Sequence, residues 1–223
     1  MRIATIGSGA MASTLGSGWA AAGHDIFIGG RSPAQASALA SQLGPRVRSG
    51  SLAEAAGFGD VILLAVPGQS AVDAVLAASS VDGGLAGRVV IDCTNALPAD
   101  AFAAAPGSFR LEIDAVAERV ADAAPGARVV KAFNMCAAEV WRDAARAFEG
   151  RPLAVPLCGN DPAALDVVAA LTRDLGLHPV LSGGLDRARY LEAMTVFVMG
   201  LWFAGTDARA TLPPLEAAAA VPD

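Results

Sequence analysis

The sequence is short of positive charge and of side chains that carry out acid–base chemistry. Its 223 residues hold 16 lysines and arginines against 22 aspartates and glutamates, and Lys131 is the only lysine. A face basic enough to bind nucleic acid is therefore not expected. The two histidines, His24 and His178, each precede or begin a predicted strand and are predicted to be structural. No Ser/His/Asp set and no metal-ligand cluster emerges, which favours a reaction that depends on positioning more than on proton transfer.

Cysteines and long apolar runs are also scarce. Cys93, Cys136 and Cys158 are odd in number and far apart in the sequence, which predicts reduced thiols, a cytoplasmic location and no zinc site. The longest apolar run, over residues 193–205, is too short to cross a bilayer. No basic segment typical of a secretory signal precedes the first predicted strand. We therefore expect no membrane partner.

The sequence does contain a regular alternation of short apolar runs with alanine-rich segments. Alternation of this kind predicts a parallel sheet covered by helices on both faces. The run over residues 61–66, Val-Ile-Leu-Leu-Ala-Val, has no polar alternation, as is typical of a strand buried on both sides. We predict an α/β fold with a doubly wound, Rossmann-type, mostly parallel sheet over residues 1–182. A small helical extension is predicted over residues 183–223.

The last third of the chain is predicted to continue this pattern. A helix is expected over residues 137–148, a strand over 152–158, and then a helix with Pro162 in its first turn. A long helix is predicted over residues 185–204, and its second half is apolar nearly all round. Such a helix packs against the sheet, against a partner subunit, or against both. A homodimer through residues 185–204 is therefore one expectation.

The segment from Gly7 to Ala12, Gly-Ser-Gly-Ala-Met-Ala, carries the glycine pattern of a dinucleotide-binding turn. Gly7 would allow the tight turn, Gly9 would let the backbone approach a pyrophosphate, and Ala12 would let helix and strand pack closely. The helix that follows would direct its free N–H groups towards phosphates. The pattern lies directly after a predicted strand and directly before a predicted helix, which is the context that such a turn requires. The predicted binding residues here are Gly7, Ser8, Gly9, Ala10 and Met11.

The end of the second predicted strand decides which dinucleotide is bound. NAD sites usually place an acidic residue about 20 residues after the glycines, where it bonds the ribose 2′-hydroxyl. The sequence over residues 29–33 is Gly-Gly-Arg-Ser-Pro instead. Arg31 can pair with a 2′-phosphate and stack on adenine, and Ser32 can donate a hydrogen bond. The pattern favours NADP(H); otherwise Arg31 is a solvated surface residue and Ser32 only a helix cap.

Two further strand ends are predicted to face the cofactor crevice. Val66 and Pro67 close the fourth predicted strand, and Pro67 turns the chain away from the sheet. Asn95 follows the fifth strand. Its side chain either bonds the ribose or the nicotinamide, or caps its own loop, and the residues do not decide between the two.

The sixth predicted strand ends in Lys131-Ala-Phe-Asn134, where the nicotinamide end of a cofactor would lie. We expect Asn134, together with backbone groups from Met135 to Ala137, to fix the nicotinamide carboxamide. No acid or base is assigned. Phe133 is predicted to lie in the core, and Lys131 is predicted to form a structural ion pair.

With these residues in hand, the chain resembles the NADPH-dependent reductases of the deazaflavin coenzyme F420. It is also similar to the oxidoreductase domain of the six-transmembrane metalloreductases. The resemblance runs from residue 1 to about residue 205. Beyond the glycine turn, the matching pieces are Gly30-Arg-Ser-Pro33, Val129-Val-Lys-Ala-Phe-Asn134, Val155-Pro-Leu-Cys-Gly-Asn-Asp161 and Arg189-x-x-Glu-Ala-Met194.

The resemblance implies NADPH bound by Gly7 through Met11, by Arg31 and Ser32, and near Asn95 and Asn134. It implies hydride transfer between the nicotinamide and a flavin-like ring stacked over it, in a protein that is often a dimer. The form Lys-Ala-Phe-Asn is that of the metalloreductases, which use a flavin. The small-molecule acceptor therefore stays open between coenzyme F420 and a flavin.

Two other functions stay open from the residues themselves. A β-hydroxyacid dehydrogenase commonly uses a lysine on its first long helix after the Rossmann domain, and the segment over residues 184–192 contains none. An NADPH-dependent imine or carbonyl reductase remains, because an imine can arrive already protonated. The other function that stays open is a non-catalytic NADP(H)-binding redox sensor.

Overall fold

An eight-stranded sheet with helices on both faces forms the body of the protein. A computed structural model describes residues 1–79, 84–103, 105, 109–142, 146–148 and 150–211. Within these residues the strands of the sheet are β1 (Arg2–Ile6), β2 (Asp25–Gly29), β3 (Arg48–Gly50), β4 (Val61–Leu64), β5 (Val89–Asp92), β6 (Arg128–Lys131), β9 (Ala154–Gly159) and β10 (His178–Leu181). A separate two-stranded sheet contains β7 (Ala147–Phe148) and β8 (Arg151–Pro152).

The order of the strands across the main sheet is β10-β9-β6-β5-β4-β1-β2-β3. Neighbouring strands are parallel throughout, except for the antiparallel pair β6 and β9. The predicted α/β class with a mostly parallel, Rossmann-type sheet is thus confirmed. The chain leaves β1 towards β2 on one side and later returns to β4 on the other. The carboxyl ends of β1 and β4 therefore border the crevice where this fold binds its ligands.

Eight α-helices occur within the described residues. They are α1 (Ala10–Ala21), α2 (Pro33–Leu43), α3 (Leu52–Phe58), α4 (Ala71–Ala78), α5 (Val116–Ala123), α6 (Ala138–Arg142), α7 (Pro162–Asp174) and α8 (Ala188–Phe203). Helices α1, α2 and α7 pack on one face of the sheet, and α3, α4 and α5 pack on the other. All four residues of β4 are buried, as the unbroken apolar run predicted.

The predicted helix over residues 137–148 is wrong in its second half. Helix α6 ends at Arg142, and Ala147 pairs with Pro152 in the hairpin of β7 and β8. Residues 143–145 lie outside the described part of the chain. The backbone of Arg146 has φ 38° and that of Gly150 has φ 76°, and both angles are incompatible with a continuing α-helix. The Arg146 side chain donates to the backbone oxygen of Leu175, which favours the turn over the helix.

The long helix near the carboxyl end is confirmed, as a 3₁₀ turn over Leu185–Arg187 followed by α8. Its buried residues are Ala188, Glu192, Thr195 and Val196. The opposite side exposes Tyr190, Met194 and Phe197. The division of the chain at residues 182 and 183 stays a prediction, and residues 212–223 of the extension lie outside the described residues. Over the part of the chain that is described, no helix has the length and apolar character needed to cross a membrane.

Candidate cofactor site

The turn between β1 and α1 has the shape that its glycines predict. Gly7 has φ 116°, a value that favours glycine, and a Cβ atom there would overlap the carbonyl oxygen of Ala65. Its N–H donates to the Gly29 oxygen at 2.8 Å, which fixes the turn against β2. Gly9 precedes the first residue of α1, and a Cβ added there would meet no described atom within 4 Å. Gly7 is thus needed for close packing, whereas Gly9 faces open space beside a helix N-terminus.

A cavity of about 690 Å³ opens in front of this turn. Seven of the residues predicted to bind a cofactor line it, namely Gly7, Ser8, Gly9, Arg31, Ser32, Val66 and Pro67. Sequence reasoning missed several others that also line it, namely Gly30, Gln35, Leu52, Ala65, Ser70, Asp73, Ala74 and Ala77. Most of the missed residues come from α4 and from the segment before it. The start of a helix directly after Pro67 was the signal that could have identified them, since this helix borders the same crevice.

The wall formed by β2 and α2 carries an exposed cation. The Ser32 side chain accepts a hydrogen bond from the Gln35 N–H at 3.4 Å and so caps α2, with Pro33 in the first turn. Arg31 is exposed and has no ion-pair partner among the described residues. Asp73, on α4, is a carboxylate in the same cavity. The cavity therefore does contain an acid. A preference for NADP over NAD would rest on Arg31, which can pair with a phosphate.

The remaining predicted residues gather at the ends of β5 and β6. The Asn134 Nδ2 group donates to Asn95 Oδ1 at 3.0 Å, and Asn95 Nδ2 donates to the Asn134 backbone oxygen at 2.8 Å. Asn134 is 4% exposed. Met135 is half-buried and Ala137 is exposed, immediately before α6. This group, which we call the asparagine cluster, does not line the cavity described above.

Gly68 joins the asparagine cluster to the cavity. It follows Pro67, which lines the cavity, and a Cβ atom on it would lie 2.5 Å from the backbone nitrogen of Ala96. The loop after β4 therefore packs backbone against backbone on the loop after β5. Ala10 and Met11 begin α1, where Ala10 is exposed and Met11 packs partly against the core. The two groups of predicted residues thus occupy neighbouring strand ends, as one extended ligand would require.

The backbone that presents Asn134 is held in an unusual conformation. Phe133 has φ 63°, in the left-handed region that residues other than glycine rarely adopt. Its ring is buried between Trp19 and Trp141, with centroids 6.0 Å away in each case and edge-to-face geometry. The Trp141 indole N–H also donates to the Phe133 backbone oxygen at 3.1 Å. Phe133 therefore lies in the core, as predicted, and its aromatic neighbours hold a turn whose strain is typical of functional sites.

A buried ionic network lies behind the asparagine cluster. Lys131 Nζ lies 3.0 Å from Asp92 Oδ2 and 2.7 Å from Glu192 Oε1, with all three side chains fully buried. Lys131 also donates to the Thr94 backbone oxygen at 2.6 Å. Burial lowers the pKa of Lys131, but the two carboxylates outweigh burial and leave that pKa raised, so the group stays charged. The prediction that Lys131 forms a structural ion pair is confirmed.

The residues fit a dinucleotide that carries an additional phosphate. Gly7 and Gly9 leave the N-terminus of α1 open to a pyrophosphate, and α1 is 12 residues long. Arg31 supplies a cation at the position where an NAD site usually has an acid. Asn134 Oδ1 is a buried acceptor with no hydrogen-bond partner among the described residues, and a carboxamide N–H would satisfy it.

The chain is similar in sequence to several known proteins. Residues 2–96 match the family model described as NADP oxidoreductase coenzyme F420-dependent. The chain is 28% identical over 212 residues to the F420-dependent NADP reductase of Methanothermobacter thermautotrophicus, covering 90% of this chain and 89% of that protein. It is 26% identical over 201 residues to metalloreductase STEAP3 of Rattus norvegicus, and this match covers 90% of the chain but only 38% of the metalloreductase.

A solved structure extends the likeness to the whole fold. The structure of a protein from Arthrobacter sp. FB24, which bears the name F420-dependent NADP reductase, aligns with a TM-score of 0.77 at 29% identity. The alignment covers 93% of this chain and 96% of that one. An imine reductase from Pseudomonas sp. aligns with a TM-score of 0.62 at 20% identity, which is a likeness of fold alone.

Fold, site and comparisons together define an NADP-dependent oxidoreductase with a Rossmann fold. Residues 2–96 match the coenzyme F420-dependent NADP oxidoreductase model, and the chain resembles reductases of that kind over most of its length.

Proposed function

We propose that the protein transfers a hydride between NADPH and a deazaflavin or flavin-like acceptor, with coenzyme F420 as the first acceptor to test and a flavin as the next. The observation that carries the proposal is the continuity between the Arg31 cavity and the asparagine cluster along neighbouring strand ends. When bound, NADP(H) supplies a hydride at C4 of its nicotinamide. The protein's part is to bind, to orient and to keep water away from the reacting rings.

Each predicted residue has a place in this proposal. Arg31 and Ser32 hold the 2′-phosphate, and the N–H groups of Gly9, Ala10 and Met11 hold the pyrophosphate together with Ser8. Val66 and Pro67 form the wall on the β4 side. Asn95, Asn134 and the backbone from Met135 to Ala137 hold the nicotinamide. The similar F420-dependent reductase supports coenzyme F420 as the acceptor, since it aligns over 90% of this chain.

The acceptor is tested by following NADPH oxidation with coenzyme F420, FMN, FAD and a ferric chelate offered separately. NADH in place of NADPH is the control for cofactor choice. Turnover with the deazaflavin alone supports the proposal as stated. Turnover with flavin or ferric chelate alone would favour the flavin branch of the proposal, as in a metalloreductase-like activity. NADPH binding without turnover on any of the four would contradict the proposal.

An NADPH-dependent imine or carbonyl reductase is the second candidate. The asparagine cluster offers amides rather than acids or bases, and such a site suits an imine that arrives already protonated. Offering cyclic imines and ketones in the same assay separates this activity from the first. A non-catalytic redox sensor would bind NADPH and reduce none of these compounds.

A homodimer and a cytoplasmic location are further parts of the proposal. Tyr190, Met194 and Phe197 follow one another at helical spacing on the exposed side of α8, and a second copy of the chain would cover them. Sedimentation of the wild-type chain and of Phe197→Glu tests this assembly. The free thiols of Cys93, Cys136 and Cys158 support a reducing compartment.

A further inference from the structure

A short chain of hydrogen bonds runs from α8 into the asparagine cluster. The Thr195 hydroxyl donates to the Leu191 backbone oxygen one turn earlier in α8, at 2.8 Å. The same oxygen atom lies 3.3 Å from Asn134 Nδ2, which donates to it. Thr195 is 5% exposed, and it lies 61 residues after Asn134 in the sequence. A residue that the cofactor motifs do not include is therefore in direct contact with Asn134.

The donor and acceptor of each hydrogen bond in this series are fixed by the neighbouring hydrogen bond. A hydroxyl has a single proton, and the Leu191 oxygen at 2.8 Å is nearer than the other acceptors around Thr195, at 3.3 and 3.5 Å. The Thr195 oxygen is thus left as an acceptor towards Asn134. On the other side, Asn95 uses its Nδ2 group on the Asn134 backbone oxygen, so that Asn95 Oδ1 is also an acceptor.

Asn134 consequently has only one favourable amide orientation. Its Nδ2 group lies between two acceptors, Asn95 Oδ1 at 3.0 Å and Thr195 Oγ1 at 3.3 Å, and both of its protons are used. A flipped amide would place Asn134 Oδ1 against the same two oxygens. The observed orientation leaves Oδ1 buried and without a donor among the described residues. A buried acceptor without a donor lowers stability, and a ligand donor can recover that loss.

We infer that Thr195 is a positioning residue, which orients the Asn134 amide so that its Oδ1 accepts a hydrogen bond from the carboxamide N–H of the nicotinamide. The inference rests on the proposed function, because it assigns the nicotinamide to the asparagine cluster. The inference adds the direction of the hydrogen bond: the protein supplies the acceptor and the cofactor supplies the donor. A cofactor without that N–H should therefore bind less well, for a reason that depends on Thr195.

The test compares two oxidised cofactors by calorimetry. NADP⁺ has the carboxamide N–H, whereas 3-acetylpyridine adenine dinucleotide phosphate has a methyl group in its place and keeps the carbonyl oxygen. The wild-type chain should bind NADP⁺ about tenfold more tightly than the acetyl analogue, the ratio expected for one buried hydrogen bond. Asn134→Ala should bring this ratio close to one, and Thr195→Val should lower it part of the way, because Asn95 Oδ1 still accepts from the amide. Thr195→Ser keeps the hydroxyl and should restore the wild-type ratio.

A matched control is available in α7. Thr172 is fully buried and its hydroxyl donates to the Val168 oxygen at 2.8 Å, the same helical bond that Thr195 makes. Thr172→Val should lower stability without changing the ratio of the two cofactors. A wild-type ratio near one, or a Thr195→Val ratio equal to that of the wild type, would overturn the inference and leave NADPH turnover intact. Failure of the wild-type chain to bind NADP⁺ at all would overturn the proposed function together with the inference.

Discussion

Glu192 on α8 holds the start of α5, which lies more than 70 residues earlier in the chain. Its two carboxylate oxygens accept from the backbone N–H groups of Val116 at 3.0 Å and Ala117 at 3.2 Å. Ala115, just before α5, has φ 52° and provides no side-chain cap of its own. The Glu192 carboxylate therefore caps one helix from another while it neutralises Lys131.

Glu192→Gln should destabilise the protein strongly. Lys131 keeps Asp92, but the Glu192 oxygens serve Lys131 and two backbone N–H groups, and a glutamine amide has only one acceptor oxygen. Its NH2 group would therefore face a buried donor, and a buried donor left without an acceptor costs about 1–3 kcal/mol. Urea unfolding followed by circular dichroism measures the loss. Glu118→Gln is the matched control, because its pair with Arg189 lies at the surface, where solvent screens the charges, and should contribute little to stability. Equal effects of the two substitutions would show that the buried network does not hold α8 in place.

Gly7→Ala should abolish NADP⁺ binding. An alanine has to adopt φ 116° at this position, and its Cβ would overlap the Ala65 carbonyl, so the turn has to move away from β4. We expect a loss of affinity of at least about 100-fold by calorimetry. Gly57→Ala is the control, since a Cβ on that helical glycine would meet no described atom within 4 Å. Normal affinity in Gly7→Ala would contradict the role given to this turn.

Arg31→Ala should weaken NADPH about 10- to 100-fold and NADH by less than about threefold. A charged hydrogen bond to a phosphate contributes about 1.5–3 kcal/mol, and only NADPH has the 2′-phosphate. Dissociation constants for the two cofactors should be measured at the same ionic strength. Arg173→Ala, an exposed arginine on α7, controls for the loss of one positive charge. Equal losses for the two cofactors would mean that Arg31 does not contact the phosphate.

Cys136 should react slowly with iodoacetamide in the folded protein, although it lies beside Met135 in the site. Burial raises the pKa of its thiol to about 11, and only the thiolate is a nucleophile. Raising the pH from 8 to 10 should therefore speed alkylation about tenfold per pH unit, because the thiolate fraction grows by that factor. Mass spectrometry of the Cys136 peptide, with urea-unfolded protein as reference, measures the rate. Rapid alkylation at pH 7 would show a thiol that is activated instead.

Local patterns were enough to predict the strands of the main sheet and the two turns that line the cavity. The glycines at positions 7 and 9 act within one turn, and Arg31 follows β2 directly, so a few adjacent residues determine both features. The apolar run of β4 predicts a buried strand without information from any other segment of the chain. In each case the physical cause lies within the segment that shows the pattern.

The contacts of Asn134 could not be predicted, because their causes lie far away in the sequence. Thr195 reaches Asn134 across 61 residues, and the left-handed turn at Phe133 depends on the rings of Trp19 and Trp141. The hairpin that replaces the end of the predicted helix over 137–148 depends in part on a bond from Arg146 to Leu175. Tertiary packing overrode local propensity at these places.

The most direct test of the central proposal uses NADPH that carries deuterium on one face of C4, with coenzyme F420 as acceptor in ordinary water. Mass spectrometry then shows whether the deuterium reaches the reduced deazaflavin, whose new C–H bond does not exchange with solvent. Direct hydride transfer predicts that the deuterium from one face of NADPH is transferred and that from the other is retained. Reduced deazaflavin without deuterium from either face, or no reduction at all, would contradict the proposal.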